Sequence, residues 1–458
     1  MMLNVINPTT GEELHAYPTL DSAQVEKSLQ TAVAGFDYWK NVSFEERADA
    51  LCAVADIMKQ DQERLALLMT DEMGKPIVEA RAEVQKSIWC AEHYAEHAAG
   101  YLSSQTLASD AHHSYVQHLP LGPLLGILPW NAPFWLAFRF CAPALMAGNT
   151  CLMKHDPHVP ACASAIAELF VKAGVPNGLL QNLPLANDQV GHVIADFRVR
   201  GVSFTGSSQA GSRVAGMAGA ALKPCVLELG GSDPSLVLAD ADLDQAADTL
   251  VLSRMINAGQ SCIAAKRLIV EAPVYDAFIE KVKTRMQALV VGNPREETTT
   301  IGPIARADLR DNLSRQVEAT IEQGARCLMG GQPETGPGYF FPPTLLVDVT
   351  NDMVACQEET FGPVTVILKA DNAGQALAIA NDTRYGLASS IWGGSEQAEA
   401  MASSLEAGQV AINGIVKTDP RLPSGGIKNS GIGRELGPHG ILAFVNAQQV
   451  WVGPKTGA

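Results

Sequence analysis

One cysteine and one glutamate have the surroundings that covalent catalysis requires. Cys262 follows Gly259-Gln-Ser, a run of small and polar residues that leaves its sulfur accessible, and Glu228 begins a Glu-Leu-Gly-Gly motif 34 residues upstream. A thiol that attacks a carbonyl needs access, N–H groups that hold the resulting oxyanion, and a base that later activates water. The pair therefore predicts nucleophilic chemistry on a carbonyl. The alternatives are a small buried apolar Cys262 and a surface carboxylate at Glu228.

A second motif lies where a predicted strand turns into a helix. The strand ends at Thr205, Gly206 permits a tight turn, and residues 207–211 open the helix. Free N–H groups at such a helix start can bind a pyrophosphate. The spacing is GxxxxG, and no Gly-Lys-Ser/Thr ending follows, which argues against an ATP-type loop. A dinucleotide site is one interpretation, and an ordinary glycine turn is the other.

Composition excludes several classes of function. The chain has 458 residues, with 33 Lys and Arg against 49 Asp and Glu, so its net charge of −16 would repel nucleic acid and anionic membranes. The nine cysteines include no CxxC pair and no zinc-like cluster, so no metal site is predicted. No signal peptide or membrane-spanning run is recognisable. The sequence therefore predicts a soluble protein of the reducing cytosol.

Hydrophobic patterning predicts helices first and then two α/β segments. Residues 21–99 follow a helical period that breaks at Gly74-Lys-Pro76. From 120 to 234, and again from 236 to 411, short apolar runs alternate with amphipathic helices, as in parallel βαβ units. The fold class is therefore α/β with two doubly wound domains.

A small β-ribbon completes the predicted architecture. Residues 101–119 alternate around a polar turn, and the tail at 447–452 alternates as well. We expect the tail to pair with a neighbouring subunit's ribbon, because an exposed edge invites uncontrolled pairing. A homodimer or homotetramer follows. The predicted domains are dinucleotide-binding (1–100 and 120–227), catalytic (228–425) and β-ribbon oligomerisation (101–119 and 440–458).

Six motifs occur in a fixed order along the chain. They are Pro129-Trp-Asn-Ala-Pro133, Phe204-Thr-Gly-Ser207, Glu228-Leu-Gly-Gly231, Gly259-Gln-Ser-Cys262, Glu358-Glu-Thr-Phe-Gly-Pro363 and Ser424-Gly-Gly-Ile-Lys-Asn-Ser-Gly431. With them the chain resembles the NAD(P)-dependent aldehyde dehydrogenase superfamily from about Asn7 to Trp451. Within that superfamily it is most similar to the short bacterial succinate semialdehyde dehydrogenase type.

The resemblance implies a role for three catalytic residues. Cys262 would attack the aldehyde, and the Asn131 amide with the Cys262 backbone N–H would hold the oxyanion. After hydride transfer leaves a thioester, Glu228 would activate water, with its pKa raised toward neutrality. We expect the local environment to depress the pKa of the thiol. Without the resemblance, Asn131 has the pattern of a turn residue.

The resemblance also implies a nicotinamide cofactor site. Many relatives have an acid three residues after the lysine that corresponds to Lys154, where it excludes a 2′-phosphate, but this chain has Pro157. Asp156 is a possible substitute. We therefore expect the chain to use NAD or NADP, without ranking them. The implied cofactor-binding residues are Trp130, Lys154, Gly206, Ser207, Leu229, Glu359 and Phe361.

Two arginines carry the expectation about the substrate. Arg139 has the position of an arginine in succinate semialdehyde dehydrogenases, and Arg421 could reach the pocket mouth from its loop. Trp135 would line the tunnel, or else pack in the core. The alternatives are that Arg139 pairs with an internal acid and that Arg421 is a solvated charge.

The predicted reaction is oxidation of succinate semialdehyde, with glutarate semialdehyde as a near neighbour. A second interpretation is an uncharged aliphatic or aromatic aldehyde, or acyl transfer from the thioester to CoA. A third is a non-catalytic protein on the same fold. The last is disfavoured because Cys262, Glu228 and Asn131 are all present.

Overall fold

A computed structural model describes residues 2–454 of the chain, and it contains two large open sheets. The first sheet has six strands, which are parallel except for a short antiparallel strand at one edge. Its strands, in spatial order, are Gly431–Ile432, Cys225–Glu228, Gly201–Thr205, Pro123–Leu128, Thr150–His155 and Leu180–Asn182. The predicted alternation of strands and helices in this segment is confirmed.

The second sheet has seven strands and follows the same principle. All neighbours are parallel except the edge strand Arg326–Met329. In spatial order the strands are Arg326–Met329, Thr344–Val349, Val364–Ala370, Arg267–Glu271, Pro234–Val237, Ala388–Trp392 and Gln409–Ile412. The chain passes from one sheet to the other between Glu228 and Pro234. The predicted division into domains stays a prediction.

Helices cover both faces of the two sheets, as the buried strands require. Those of the N-terminal half are Ser22–Trp39, Phe44–Gln60, Gln62–Met73, Ile77–Tyr101, Pro133–Met146, Pro160–Lys172, Val190–Ala195 and Ser208–Ala220. The later ones are Leu243–Met255, Tyr275–Gln287, Ala307–Glu322, Val354–Gln357, Ala373–Asn381, Ser395–Ala402 and Gly437–Leu442. No helix of residues 2–454 is long and apolar enough to cross a bilayer.

The predicted break in the first helical region is confirmed at Gly74. This residue ends the preceding helix in the left-handed conformation, with φ of 78°. A side chain there would begin 2.6 Å from the ring of Pro303. Glycine is therefore required both by the backbone and by the close approach.

The β-ribbon forms within one chain, which corrects the predicted pairing of the tail. Gln105–Thr106 pairs with His113–Pro120, and Val445–Val452 lies antiparallel on the other side of that strand. The tail is long enough to return to its own ribbon, so no neighbouring subunit is needed for this pairing. The predicted homo-oligomer stays a prediction, and residues 455–458 of the predicted element lie outside the described residues. An N-terminal hairpin, Met2–Ile6 with Glu13–Pro18, was not predicted.

A buried ion pair connects helix Ile77–Tyr101 to the start of helix Pro133–Met146, which follows strand Pro123–Leu128. Lys75 and Glu83 contact each other with both side chains only 6% exposed. The second carboxylate oxygen of Glu83 accepts hydrogen bonds from the backbone N–H groups of Phe134 (3.0 Å) and Trp135 (3.2 Å). Helix Pro133–Met146 has no capping side chain of its own, so Glu83 satisfies its first turn from another element.

Lys75→Met should lower the free energy of unfolding by about 3–5 kcal/mol, because Glu83 would remain buried without its counter-charge. Urea denaturation followed by tryptophan fluorescence measures this loss. Arg81→Met is the matched control, since it breaks an exposed ion pair with Glu63 and should change the unfolding little. Equal destabilisation by the two variants would contradict the role given to the buried pair.

Candidate active site

The turn that carries Cys262 begins with three left-handed residues. After helix Leu243–Met255, the φ angles of Asn257, Ala258 and Gly259 are 56°, 52° and 74°. A side chain at Gly259 would begin 2.3 Å from the carbonyl oxygen of Gly362, so only glycine fits. Strain of this kind persists only where surrounding contacts hold it.

Two buried cations supply those contacts. The Arg254 guanidinium donates to the carbonyl oxygens of Gly259 (3.1 Å) and Thr360 (2.9 Å). Lys266 Nζ donates to the carbonyl oxygens of Ser261 (3.1 Å) and Cys262 (2.5 Å). The cysteine turn is therefore fixed on both sides of the thiol.

Asn131 lies directly against this turn. Its Nδ2 donates to the carbonyl oxygen of Gln260 at 3.0 Å. The backbone carbonyl oxygen of Asn131 accepts from Lys75 Nζ (2.9 Å) and from Asn257 Nδ2 (3.0 Å). Asn131, the predicted oxyanion donor, therefore lies against the turn that carries Cys262, and Lys75 fixes its backbone.

Glu228, at the end of strand Cys225–Glu228, is buried beside a guanidinium. Arg139 Nη2 lies 3.5 Å from Glu228 Oε2 and 2.6 Å from Glu435 Oε2. Glu435 Oε1 also accepts a hydrogen bond from Ser203 Oγ at 3.0 Å. Burial raises the pKa of Glu228 to about 8, while Arg139 lowers it and Glu435 raises it. A carboxyl with a pKa near neutrality is suited to general-base catalysis.

The thiol behaves differently from the expectation. Burial raises the pKa of Cys262 to about 11, although the positive charges of Lys266 and Arg139 act to lower it. The expected depression of the thiol pKa is therefore wrong for this arrangement. The physical reason is that loss of solvation outweighs the two nearby cations.

Residues of the predicted pyrophosphate site lie at the start of helix Ser208–Ala220. Ser207 caps this helix, with Oγ accepting from the Ala210 N–H at 3.3 Å. Gly206 passes close to the Phe204 ring, where a side chain would begin 2.7 Å away. Leu229 packs against Gly211. A helix start beside a glycine turn fits a dinucleotide phosphate.

The predicted nicotinamide end of the site lies where the two sheets approach each other. Glu359 Oε1 accepts from the Gly231 N–H at 3.2 Å and lies 3.7 Å from Lys266 Nζ. A side chain at Gly230 would begin 2.0 Å from Glu359, so the glycine leaves the space that this carboxylate occupies. The rings of Phe361 and Trp130 meet edge to face at 5.7 Å.

At the predicted adenosine end, Lys154 is buried and donates to Asn187 Oδ1 at 3.3 Å. Asp156 is directed toward His158, with Oδ1 lying 2.6 Å from Nδ1 of that ring. The carboxylate that could replace the missing acid at Pro157 is therefore already engaged.

The three predicted substrate residues have different surroundings in the structure. Arg139 is buried with two acids, which is the internal-pairing alternative, yet its Nε has no hydrogen-bond acceptor among the described residues. Arg421 is 63% exposed and pairs with Asp419 at 2.6 Å. The buried Trp135 ring lies 6.0 Å from Arg139 Cζ. Contact of these residues with substrate stays a prediction.

Several residues at the site gave no signal in the sequence. Glu435, Arg254 and Lys266 carry no recognisable spacing relative to Cys262, and Lys75 and Glu83 lie in a region that predicts only helices. The burial of a charged side chain and its contacts with the backbone can be recognised only once the fold is known.

Comparison with known proteins agrees with the geometry. The model of the aldehyde dehydrogenase family matches residues 1–450. This chain belongs to the aldehyde dehydrogenase family. As a family member it is 46% identical over 453 residues to a probable succinate-semialdehyde dehydrogenase [NADP(+)] of Synechocystis, covering 99% of this chain and 100% of the relative. It is 45% identical to an Escherichia coli succinate semialdehyde dehydrogenase [NAD(P)+], with 97% of each protein covered.

Solved structures of other aldehyde dehydrogenases share the fold. The succinic semialdehyde dehydrogenase of Streptococcus pyogenes in complex with NADP+ superposes with a TM-score of 0.96 at 36% identity. The match covers 98% of this chain and 100% of that one. The predicted fold class is therefore confirmed.

Arg139→Met should move the rise of activity to higher pH. Glu228 must be ionised to act as a base, so the rate increases as the pH passes its pKa of about 8. Removal of the guanidinium takes away the charge that lowers this pKa, while Glu435 continues to raise it. The pH dependence of kcat with butyraldehyde measures the shift without a substrate carboxylate.

Arg326→Met is the control for this measurement, because Arg326 is an exposed residue that pairs with Asp348. Its pH profile should match that of the unaltered protein. A profile of Arg139→Met that is lower in height but unchanged in position would contradict the proposed effect on Glu228.

Proposed function

We propose that the chain oxidises succinate semialdehyde to succinate and uses NAD or NADP as the hydride acceptor. The observation that carries the proposal is the contact between the Asn131 amide and the turn of Cys262, with the buried base Glu228 beside Arg139. Relatives at 46% and 45% identity that carry this activity in their names support the choice of substrate. Glutarate semialdehyde remains the nearest alternative.

The first step joins Cys262 Sγ to the aldehyde carbon, and the thiol proton passes to solvent water as the bond forms. The carbonyl oxygen becomes an oxyanion, which needs donors that are already in position. An amide nitrogen carries two hydrogens, and Asn131 uses one of them on the Gln260 carbonyl. The second hydrogen and the Cys262 backbone N–H are the donors we assign to the oxyanion.

When bound, a nicotinamide would supply the hydride acceptor, and loss of hydride would leave a thioester on Cys262. Glu228 then takes a proton from water, and the resulting hydroxide attacks the thioester carbonyl. The C–S bond breaks, the carboxylic acid leaves, and Glu228 returns the proton to the thiolate. The raised pKa of Glu228 makes it a stronger base than an ordinary carboxylate for this step.

The orphan N–H of Arg139 supports a carboxylated substrate. Its Nε is buried and finds no acceptor among the described residues, a situation that costs free energy unless a ligand provides one. A carboxylate at the far end of a short aldehyde is such an acceptor. For an uncharged aldehyde, this N–H would stay unpaired.

The proposed function is tested by comparing succinate semialdehyde with butyraldehyde, which has the same carbon number but no carboxylate. We expect kcat/KM to favour succinate semialdehyde by about tenfold to a hundredfold, since a hydrogen bond to a charged group contributes about 1.5–3 kcal/mol. Glu228→Gln should release a single burst of reduced cofactor and then stop, because the thioester is no longer hydrolysed.

Equal kcat/KM values for the two aldehydes would contradict the carboxylate preference. Turnover that requires CoA would instead support the acyl-transfer alternative. Cys262→Ala is the control for the burst, because without the thiol no hydride transfer should occur at all.

Pro157→Glu should lower kcat/KM for NADP by about tenfold or more, equivalent to about 1.4 kcal/mol, with a much smaller effect for NAD. The added carboxylate would repel a 2′-phosphate but accept hydrogen bonds from free ribose hydroxyls. Pro157→Gln is the matched control, because it has the same shape without the charge. If the two variants lose NADP activity equally, the loss is due to the backbone and not to the charge.

A further inference from the structure

Lys86 is a cation beside the site that the catalytic steps do not use. It lies on helix Ile77–Tyr101, and its side chain is only partly exposed. Its Nζ lies 4.2 Å from the centre of the Trp135 ring and donates to Thr418 Oγ1 at 2.8 Å. Among the described residues, no carboxylate lies within ion-pair distance of this ammonium, so its charge meets only a hydroxyl and a ring face.

The acids around Lys86 have other partners. Glu83 is engaged by Lys75 and by the start of helix Pro133–Met146. Asp419 is engaged by Arg421, through two hydrogen bonds from its side chain. Lys86 is therefore a partly buried charge without a counter-ion, and such a charge is unfavourable until an anion reaches it.

The pKa of Lys86 agrees with this environment. Burial, together with the positive charge of Arg139, lowers it to about 8, while the carboxylates of Glu83 and Asp419 act to raise it. The ammonium therefore remains mostly protonated at neutral pH. A bound anion would compensate two neighbouring cations at once.

Trp135 connects Lys86 to the catalytic groups. The same ring lies 4.2 Å from Lys86 Nζ and 6.0 Å from Arg139 Cζ. Arg139 in turn lies 3.5 Å from the base Glu228. A short substrate that reaches Cys262 with its aldehyde and follows this indole would direct its other end toward Lys86.

We propose that Lys86 binds the carboxylate of the substrate, with Thr418 fixing the ammonium and Trp135 forming the wall along which the carbon chain lies. This assignment rests on the proposed function, since it presumes a carboxylated aldehyde. The charges of the two predicted arginines are already paired with acids, so Arg139 offers the carboxylate only its free Nε–H, whereas Lys86 offers a charge that no acid compensates. Arg139 already faces Glu228 and Glu435, and the exposed Arg421 is held by Asp419 and by the Trp89 ring at 5.2 Å from its Cζ.

The test compares Lys86→Met and Lys86→Arg in the full-length protein with succinate semialdehyde and butyraldehyde. Lys86→Met keeps the length of the side chain but removes the charge. It should lower kcat/KM for succinate semialdehyde by about tenfold to a hundredfold and change that for butyraldehyde by less than about threefold. Lys86→Arg should retain most of the activity toward succinate semialdehyde.

Lys27→Met is the matched control, because Lys27 is exposed on the first helix and its loss changes the net charge equally. It should leave both substrates unaffected. Equal losses for the two aldehydes in Lys86→Met, or no loss for either, would overturn the assignment. If unaltered protein shows no preference for succinate semialdehyde, the proposed function itself fails, which is a separate result.

Discussion

The contact between Lys75 and Glu83 is the interaction on which the geometry of the site depends. Lys75 holds the carbonyl oxygen of Asn131, and Glu83 holds the first N–H groups of helix Pro133–Met146. Arg139 projects from that same helix to Glu228, so one ion pair positions both the backbone of Asn131 and the guanidinium beside Glu228. Buried ion pairs seldom add much net stability. They specify one arrangement of the surrounding groups when every remaining donor and acceptor of the pair has a hydrogen-bond partner.

One buried arginine and two buried acids lie together at the site. Arg139 faces the acids Glu228 and Glu435, and burial raises the pKa of Glu228 to about 8, so the Glu228 carboxyl is mostly protonated at neutral pH. In the proposed mechanism, Glu228 loses this proton before it accepts one from water. Lys86 lies outside this group, which leaves its charge free to select a substrate.

Much of the site could be predicted from the sequence because its reacting groups lie in short local motifs. Cys262, Glu228 and Asn131 each come with neighbours that determine their turns. The partners of Arg139 could not be predicted, since Glu435 lies far downstream and only the folded chain brings it near. Lys86 has the spacing of a solvated helix face, and its burial depends on Thr418 from a distant loop. The strands and helices could be predicted from the period of their hydrophobic residues. The partner of strand Val445–Val452 could not, because it depends on the course of the folded chain.

The pairing of strand Val445–Val452 with His113–Pro120 also constrains how the chain can be made. Gln117 donates to Gln448, a contact between residues 331 positions apart. During synthesis, one edge of strand His113–Pro120 stays unpaired until strand Val445–Val452 has left the ribosome. Such an edge is a template for other chains. Strand Val445–Val452 therefore covers an edge that a partly synthesised chain exposes, and a chain without this strand would keep that edge unpaired.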